Sequence, residues 1–271
     1  MTPDTSPAMH VITGHQPVYL PWLGLFHKIA LADTFVFMDD VQYLSQDWNN
    51  RNFIRGAQGK VRLTAPVRLK ASSSDLLKDI RIAEDGWGGK SHWQNEHWKS
   101  LQACYARAPH WQDHAAFFES FYTERPWKWL SEMNWALLVH FLDVFDIRVR
   151  LLKASDENFK GTKSDLVLDH CRRLSADICI LGAQGRDYIV VDDFLAEDTS
   201  IHFQEYRHPD YQQRFDGFIS HLSVCDLLFN HGPKSRDILL SGNVTALALR
   251  AAATPGRASI LEPEALETHV H

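Results

Sequence analysis

The first forty residues constrain the fold most, because they predict a strand, a turn, a helix and a second strand in succession. A short apolar run at residues 10–14 leads into a polar and aromatic turn, and residues 22–32 carry apolar side chains at helical spacing. A second apolar run at residues 35–38 ends in paired carboxylates. In open α/β sheets, ligands bind at the carboxyl ends of the strands. We therefore expect His15 and Asp39 at the same edge of a sheet.

The rest of the chain continues to alternate strands and helices. Further strands are predicted at residues 60–67, 76–82, 147–152, 178–182 and 200–206. Apolar residues three and four apart predict a helical insert at about 90–145, in which Pro109 and Pro126 separate the helices. Two short helices are predicted at 223–229 and 234–240. This order predicts an α/β fold with a mostly parallel Rossmann-like sheet, flanking helices, a β-hairpin excursion and a helical insert.

Length and composition favour one domain. The chain has 271 residues, of which 45% are hydrophobic and 23% charged, which is enough apolar material for a large core. We expect a single α/β domain over residues 9–250, a disordered N-terminus at 1–8 and a flexible tail at 251–271.

Charge and cysteine content exclude several classes of protein. A net charge of −6 does not support nonspecific nucleic-acid binding. No apolar run is long enough for a membrane span, and the start lacks the features of a signal peptide, so we expect a cytoplasmic protein. The four cysteines form no Cys-x-x-Cys pair, which argues against a zinc knuckle or a thioredoxin motif and predicts buried free thiols. They are Cys104, Cys171, Cys179 and Cys225.

The turn after the first strand has a structural and a functional interpretation. In the first, His15 bonds backbone groups and the aromatic residues are core. In the second, Gln16, Tyr19 and Trp22 join His15 at a helix start, where backbone N–H groups attract anions. The turn is similar to that of HIGH-type nucleotidyltransferases, but their second histidine is missing and Tyr19 stands near its place. ATP with Mg²⁺ is thus left open as a co-substrate.

The carboxylates after the second strand are candidates for binding an amine or Mg²⁺, or for acting as a base, and the alternative is a helix cap or a solvated loop. Because strand side chains alternate, only one of the pair faces a site, and we favour Asp39 over Asp40.

The polar segment at residues 42–55 is interpreted as a binding loop. Arg51, between Asn50 and Asn52, suits a phosphate or carboxylate, and Trp48 offers a flat face for a sugar or base. The alternative is a surface turn.

A Gly-x-x-Gly turn follows the buried strand at residues 178–182. It is too short for a dinucleotide fingerprint but offers backbone N–H groups to a ligand. The residues that we assign to ligand binding here are Gly182, Gln184, Gly185, Asp187 and Tyr188.

Metal and triad chemistry have weaker support. His110 and His114 are four residues apart, but no His-Glu-x-x-His motif accompanies them, and we expect no metal site. Ser220 and His221 lack a nucleophile elbow, and Ser223-x-x-Asp226 is typical of a capping box.

Several motifs together resemble the WbqC-like family of bacterial proteins. They are His15-Gln16-Pro17-x-Tyr19-Leu20-Pro21-Trp22-Leu23-Gly24, Phe35-Val36-Phe37-x-Asp39-Asp40-Val41-Gln42, Asn50-Arg51-Asn52, Leu181-Gly182-x-x-Gly185-x-Asp187-Tyr188, His208-Pro209-x-Tyr211-x-Gln213 and Leu222-Ser223-x-x-Asp226. The resemblance covers about residues 10–240 and adds His208 and Tyr211 to the substrate-binding candidates. It implies an association with surface-polysaccharide gene clusters, some of which specify amino sugars with amino-acyl groups.

Together these observations predict a transferase or ligase that forms an amide between an amino acid and an amine, such as that of an amino sugar. In this hypothesis His15 and Arg51 stabilise phosphate or oxyanion charge and Asp39 assists the amine or a metal. The partner is a small molecule, such as a nucleotide sugar or amino acid, and the oligomeric state is left open. A protein that binds a nucleotide sugar without catalysis is one alternative, and a histidine-based metal hydrolase is a second.

Overall fold

The computed structural model describes residues 9–68, 75–83 and 92–262. Its strands are β1 (Val11–His15), β2 (Thr34–Phe37), β3 (Arg51–Gly56), β4 (Gly59–Thr64), β5 (Val67–Arg68), β6 (Arg81–Ile82), β7 (Arg150–Lys153), β8 (Ile178–Gly182) and β9 (Ser200–Gln204). Its α-helices are α1 (Leu23–Ala30), α2 (His92–Tyr105), α3 (Trp111–Thr123), α4 (Leu130–Val144), α5 (Ala154–Glu157), α6 (Ser164–Leu174), α7 (Val191–Leu195), α8 (Val224–His231), α9 (Ser235–Leu240) and α10 (Ala246–Ala252).

Five parallel strands form the central sheet in the order β7-β2-β1-β8-β9. The chain builds outward from β1 in one direction through β2 and β7, and then in the other through β8 and β9. The order therefore reverses between β1 and β8, which is the switch point where α/β sheets bind ligands. The predicted α/β fold with a parallel Rossmann-like sheet is confirmed.

Both faces of the sheet are covered, which explains the continuous apolar runs in β2 and β8. On one face Ile12 and Cys179 pack with residues of α6 and α7. On the other face Val11 and Ile178 pack with Leu249 of α10.

The β-hairpin excursion is present, but it begins earlier than predicted. Strand β3 pairs with β4 in antiparallel register from Arg51 opposite Thr64 to Gly56 opposite Gly59. The interpretation of residues 42–55 as one loop is therefore wrong from Arg51 onward. Beyond this hairpin, β5 and β6 form a second short antiparallel pair, in which Val67 lies opposite Ile82, the last residues of the strands predicted at 60–67 and 76–82.

The helical insert consists of α2, α3 and α4. Pro109 and Pro126 both lie between helices, as predicted. The helices bury an aromatic core with the hairpin and α8, in which Trp98 stacks on Trp111 with ring centroids 5.3 Å apart. Within the described part of the chain, no helix is long and apolar enough to cross a membrane.

The predicted flexible tail contains packed structure as far as residue 262. Helix α10 ends at Ala252, and Ile260 then forms a parallel bridge with Ile201 at the free edge of β9. The Leu261 side chain is buried against the sheet. A loose tail is thus contradicted for residues 253–262, whereas residues 1–8 and 263–271 lie outside the described ranges. All four cysteines are free and buried, which confirms that prediction.

Candidate functional site

The carboxyl end of β1 lies at the switch point. His15 is level with Phe37 of β2, and the register of β1 with β8, continued by two residues, brings His15 level with Gly182. Asp39 lies two residues beyond Phe37, so His15 and Asp39 do lie at the same edge. A Cβ atom added to Gly182 would meet no atom within 4 Å, so there is open space beside β8 at this edge.

The turn from β1 to α1 is held in a strained shape. Leu20 is fully buried and has a φ of 45°, a conformation that costs energy for a residue with a Cβ. Its carbonyl accepts a 2.6 Å hydrogen bond from the Asn52 amide on β3. The Asn52 side chain therefore positions this turn, and both of its polar atoms are used within the protein.

Tyr19 belongs to the core instead of an accessible surface. It is 0% exposed, and its hydroxyl lies 2.7 Å from His97 Nδ1 and 2.5 Å from the Tyr122 hydroxyl. Its ring therefore cannot shape an acceptor pocket in this structure.

The hydrogen bond of His15 decides what its imidazole can do. Nδ1 lies 2.8 Å from the Gln16 carbonyl, which can only accept, so Nδ1 carries the hydrogen. Burial, and next the Lys28 ammonium, lower the pKa of His15 from 6.5 to about 3. The imidazole is therefore neutral at physiological pH, and Nε2 offers a lone pair. Trp22 packs edge-on against the ring, at 5.4 Å between centroids.

Side-chain amides surround the start of this turn. The Asn49 amide donates to the Pro17 carbonyl at 2.8 Å and to Gln16 Oε1 at 3.4 Å, and Asn134 donates to the Asn49 carbonyl. The Oδ1 atoms of Asn49 and Asn134 are buried without a partner. Gln16 and Asn134 line a cavity of about 10 Å³, which is the volume that one water molecule requires. This cavity is too small for a substrate.

The two adjacent carboxylates have different surroundings. Both oxygens of Asp39 accept hydrogen bonds from Ser155, at the start of α5. Asp40 Oδ1 is buried and has no partner. Burial, and next the Asp39 charge, raise the pKa of Asp40, although Lys78 opposes the shift. Asp39 is therefore engaged in holding β2 to α5, whereas Asp40 retains an unused oxygen.

The Arg51 guanidinium lies at the start of β3 and is not engaged by the described part of the chain. Within the described ranges its guanidinium forms no hydrogen bond or ion pair, and its Nε is buried without a partner. Burial raises the pKa of Tyr43, and the positive charge of Arg51 opposes this shift. Nearby, Asn50 donates to the Ala65 carbonyl and leaves Oδ1 unpartnered, while Trp48 is 39% exposed. Arg51 thus remains available to an anion.

The turn after β8 is a 3-10 helix from Ala183 to Asp187. Gly185 is buried, and a Cβ there would lie 3.0 Å from the Leu181 Cβ, so its role is close packing. Gln184, Asp187 and Tyr188 are exposed at the carboxyl edge of the sheet.

His208 and Tyr211 lie in a separate cluster near the hairpin turn. The Tyr211 hydroxyl donates to Asp226 at 3.0 Å, and His208 Nδ1 donates to the Pro209 carbonyl at 2.9 Å. Burial lowers the pKa of His208, and its Nε2 has no partner. Asp226 is not the second half of a capping box, because its carboxylate also accepts from Tyr105 and Gln213 in the core. Ser223 does cap α8, as predicted.

The predicted site residues do not form one network of contacts. No hydrogen bond, ion pair or ring contact joins any two of His15, Asp39, Arg51, Asp187 and His208, all of which lie in the described ranges. A groove of about 310 Å³ beside the β3–β4 turn is lined by none of the predicted site residues. In the described part of the chain, no three His, Cys, Asp or Glu side chains meet as a metal site would require.

Sequence reasoning missed Lys28. It is only 3% exposed, and its ammonium donates to the Gly14 carbonyl, one residue before His15. One signal was available, because Lys28 is the only Lys, Arg, Asp or Glu between Gly14 and Ala32. A single charged residue in an apolar helix is either exposed to solvent or buried, and a buried charge is a candidate for a functional role.

Known proteins similar to this chain were found at the level of sequence. The model of the WbqC-like protein family matches residues 16–238. The uncharacterized protein Rv1507c of Mycobacterium tuberculosis is 32% identical over 227 residues, which cover 83% of this chain and 95% of that relative. No solved structure matches the chain.

Proposed function

The chain belongs to the WbqC-like protein family, and from that premise we propose that it is a transferase or ligase that forms an amide on an amino sugar or related amine. The family's association with surface-polysaccharide genes supports this substrate class. The observation that carries the proposal is the position of His15 at the switch point of the sheet, where the Gln16 carbonyl holds Nδ1–H and leaves Nε2 as the nitrogen with a lone pair.

His15 acts as the base in this reaction. The acceptor amine attacks an activated acyl carbon, the new C–N bond forms, and the bond to the leaving group breaks with its electron pair. Nε2 of His15 takes the proton that the amine nitrogen loses. A neutral imidazole with hydrogen on Nδ1 cannot donate from Nε2, so stabilising oxyanion charge falls to Arg51 and Lys28 instead of His15.

We assign the binding of the acceptor's ammonium group to Asp40 and not to Asp39, the carboxylate favoured from the sequence. Asp39 supports the edge through Ser155, and Asp40 is the carboxylate with an oxygen available to the ammonium form of the acceptor. Asp40 takes the first proton from this ammonium, which frees the amine for attack, and His15 takes the second as the C–N bond forms. Arg51 and His15 are not in contact, so the substrate bridges the two side chains in this proposed site.

Amide formation in mixtures of ATP, amino acids and amino sugars tests the proposal. We expect His15→Ala to lower turnover at least 100-fold, because a positioned base contributes about 10²–10⁴-fold. Arg51→Ala should lose a comparable amount, whereas Arg62→Ala, an exposed arginine on the same hairpin, serves as the matched control. Near-normal turnover in both His15→Ala and Arg51→Ala would overturn the assignment.

The separation of the predicted catalytic residues favours one alternative, a protein that binds a nucleotide sugar without turnover. Thermal-shift measurements separate the two functions. Stabilisation by a nucleotide sugar together with no amide product in any mixture would favour the binding protein.

A further inference from the structure

Lys28 is a buried cation that has no carboxylate counter-ion among the described residues. Its side chain is 3% exposed, and Nζ donates one hydrogen bond, to the Gly14 carbonyl at 3.0 Å. Within the described ranges, it forms no ion pair with a carboxylate. An ammonium has three N–H donors, so this single acceptor leaves two unused.

The geometry of α1 explains how a lysine in its last turn reaches the sheet edge. Helix side chains lean toward the helix N-terminus, and α1 begins beside the carboxyl end of β1. Lys28 therefore extends back along the helix to Gly14. Gly14 is level with Val36 of β2 and, by the continued register, with Leu181 of β8. The ammonium thus lies next to the switch point.

Burial of this charge opposes folding. Removing an ammonium from water costs several kcal/mol unless an opposite charge and further hydrogen bonds compensate it. Desolvation lowers the pKa of Lys28 from 10.5 to about 8, so the group still carries its proton at pH 7. Two titratable side chains interact electrostatically with the ammonium: the Cys179 thiol, which opposes part of the lowering of the Lys28 pKa, and His15, which is neutral and supplies no negative charge.

We propose that Lys28 is a substrate-binding residue and that the missing counter-ion is an anionic oxygen of the substrate, seated over the carboxyl ends of β1 and β8 between His15 and Gly182. The open space at Gly182 gives that group room. The inference rests on the proposed function for the position of the site, and it adds that the molecule bound there carries a phosphate or a carboxylate.

Binding measurements test this inference without requiring turnover. The variants are Lys28→Met, which removes the charge at similar length, and Lys28→Arg, which keeps it. The probes are glucosamine 1-phosphate, uncharged N-acetylglucosamine, alanine and inorganic phosphate, each titrated by calorimetry and by thermal shift. We expect Lys28→Met to weaken binding of an anionic probe about 10- to 100-fold, the range of a charge-assisted hydrogen bond, with partial rescue in Lys28→Arg. N-acetylglucosamine should bind both variants as it binds the wild type.

The two phosphate probes and alanine distinguish a phosphate from a carboxylate as the source of the charge. The inference is overturned if no anionic probe stabilises or binds the wild type more strongly than Lys28→Met. Loss of anion affinity in Lys28→Met with no amide product in any mixture would support the inference and reject the proposed function. Amide synthesis with unchanged Michaelis constants in Lys28→Met would support the proposed function and reject the inference about Lys28.

Discussion

Both carboxylate oxygens of Asp39 accept hydrogen bonds from Ser155, one from its backbone N–H at 2.9 Å and one from its hydroxyl at 2.8 Å. We predict that Asp39→Ala lowers the free energy of unfolding by about 2–3 kcal/mol, because hydrogen bonds to a buried charged group contribute this much. Ser155→Ala should cost about 1 kcal/mol, and the double variant less than the sum, in urea unfolding. Asp40→Ala is the matched control, and its cost should be small because Asp40 Oδ1 has no partner. Equal losses at Asp39 and Asp40 would contradict the assignment.

A second prediction concerns Asp226, which is fully buried and accepts hydrogen bonds from Tyr105, Tyr211 and Gln213. Tyr105→Phe removes one donor and leaves a carboxylate oxygen short of a partner, so we expect a loss of about 1–3 kcal/mol in the free energy of unfolding. Tyr211→Phe should lose a similar amount, and the two should not be additive. Tyr188→Phe, at an exposed tyrosine, should change stability little. If Tyr105→Phe lowered the free energy of unfolding no more than Tyr188→Phe does, the hydrogen bonds to Asp226 would not stabilise the fold as predicted.

How far the sequence predicts the fold depends on how local each signal is. Strands β1 and β8 are predicted correctly because strands buried on both faces are rich in consecutive apolar residues, and β9 because Ile201 and Phe203 alternate with polar residues. The start of β3 was missed because Arg51 and Asn52 have the polarity of a loop. Asn52 is compatible with a strand only because its amide reaches the Leu20 carbonyl, a partner 32 residues away.

The candidate site is predicted less well for the same reason. Alternation along the strand correctly indicates that the two carboxylates differ, but only the position of Ser155, 116 residues from Asp39, determines which of them is engaged. Lys28 was missed because a sequence does not show whether a lysine in a helix has a counter-ion.

A third prediction is that acid destabilises the protein steeply. Burial lowers the pKa of four histidines to about 4, whereas the unfolded chain binds protons near pH 6.5; they are His27, His97, His140 and His170. Between pH 6.5 and 4 the unfolded state therefore binds more protons, and stability falls as the pH falls through this window. Each histidine contributes at most about 1.4 kcal/mol per pH unit.

Replacement of one of these histidines isolates its contribution. His170 packs against Phe159 at 4.2 Å between ring centroids, and its Nε2 has no partner. We expect His170→Phe to reduce the slope of the free energy of unfolding against pH by the equivalent of up to one bound proton, and to change stability little at pH 7.5. Urea unfolding at pH 7.5, 6 and 5 measures this slope. Phe159→Leu loosens the same packing without a titrating group and should shift stability equally at every pH. An unchanged slope in His170→Phe would show that the imidazole protonates freely in the native state.

A fourth prediction follows from the uncompensated charge of Lys28, and it is independent of any ligand. The pKa of Lys28 is about 8 in the folded protein and 10.5 in the unfolded chain, so between these values the unfolded state binds more protons and stability rises with pH. Below pH 8 the native state bears the whole cost, on the order of 3 kcal/mol. Lys28→Met removes this cost, and we expect the variant to be more stable than the wild type at pH 7, with the difference disappearing above about pH 10.5.

Denaturant unfolding of both proteins from pH 7 to 10.5 measures this difference in stability, with Lys99→Met as the control at an exposed lysine. A Lys28→Met variant that is less stable at pH 7 would mean that the protein itself compensates the ammonium, and the reason for seeking its counter-ion in the substrate would be lost.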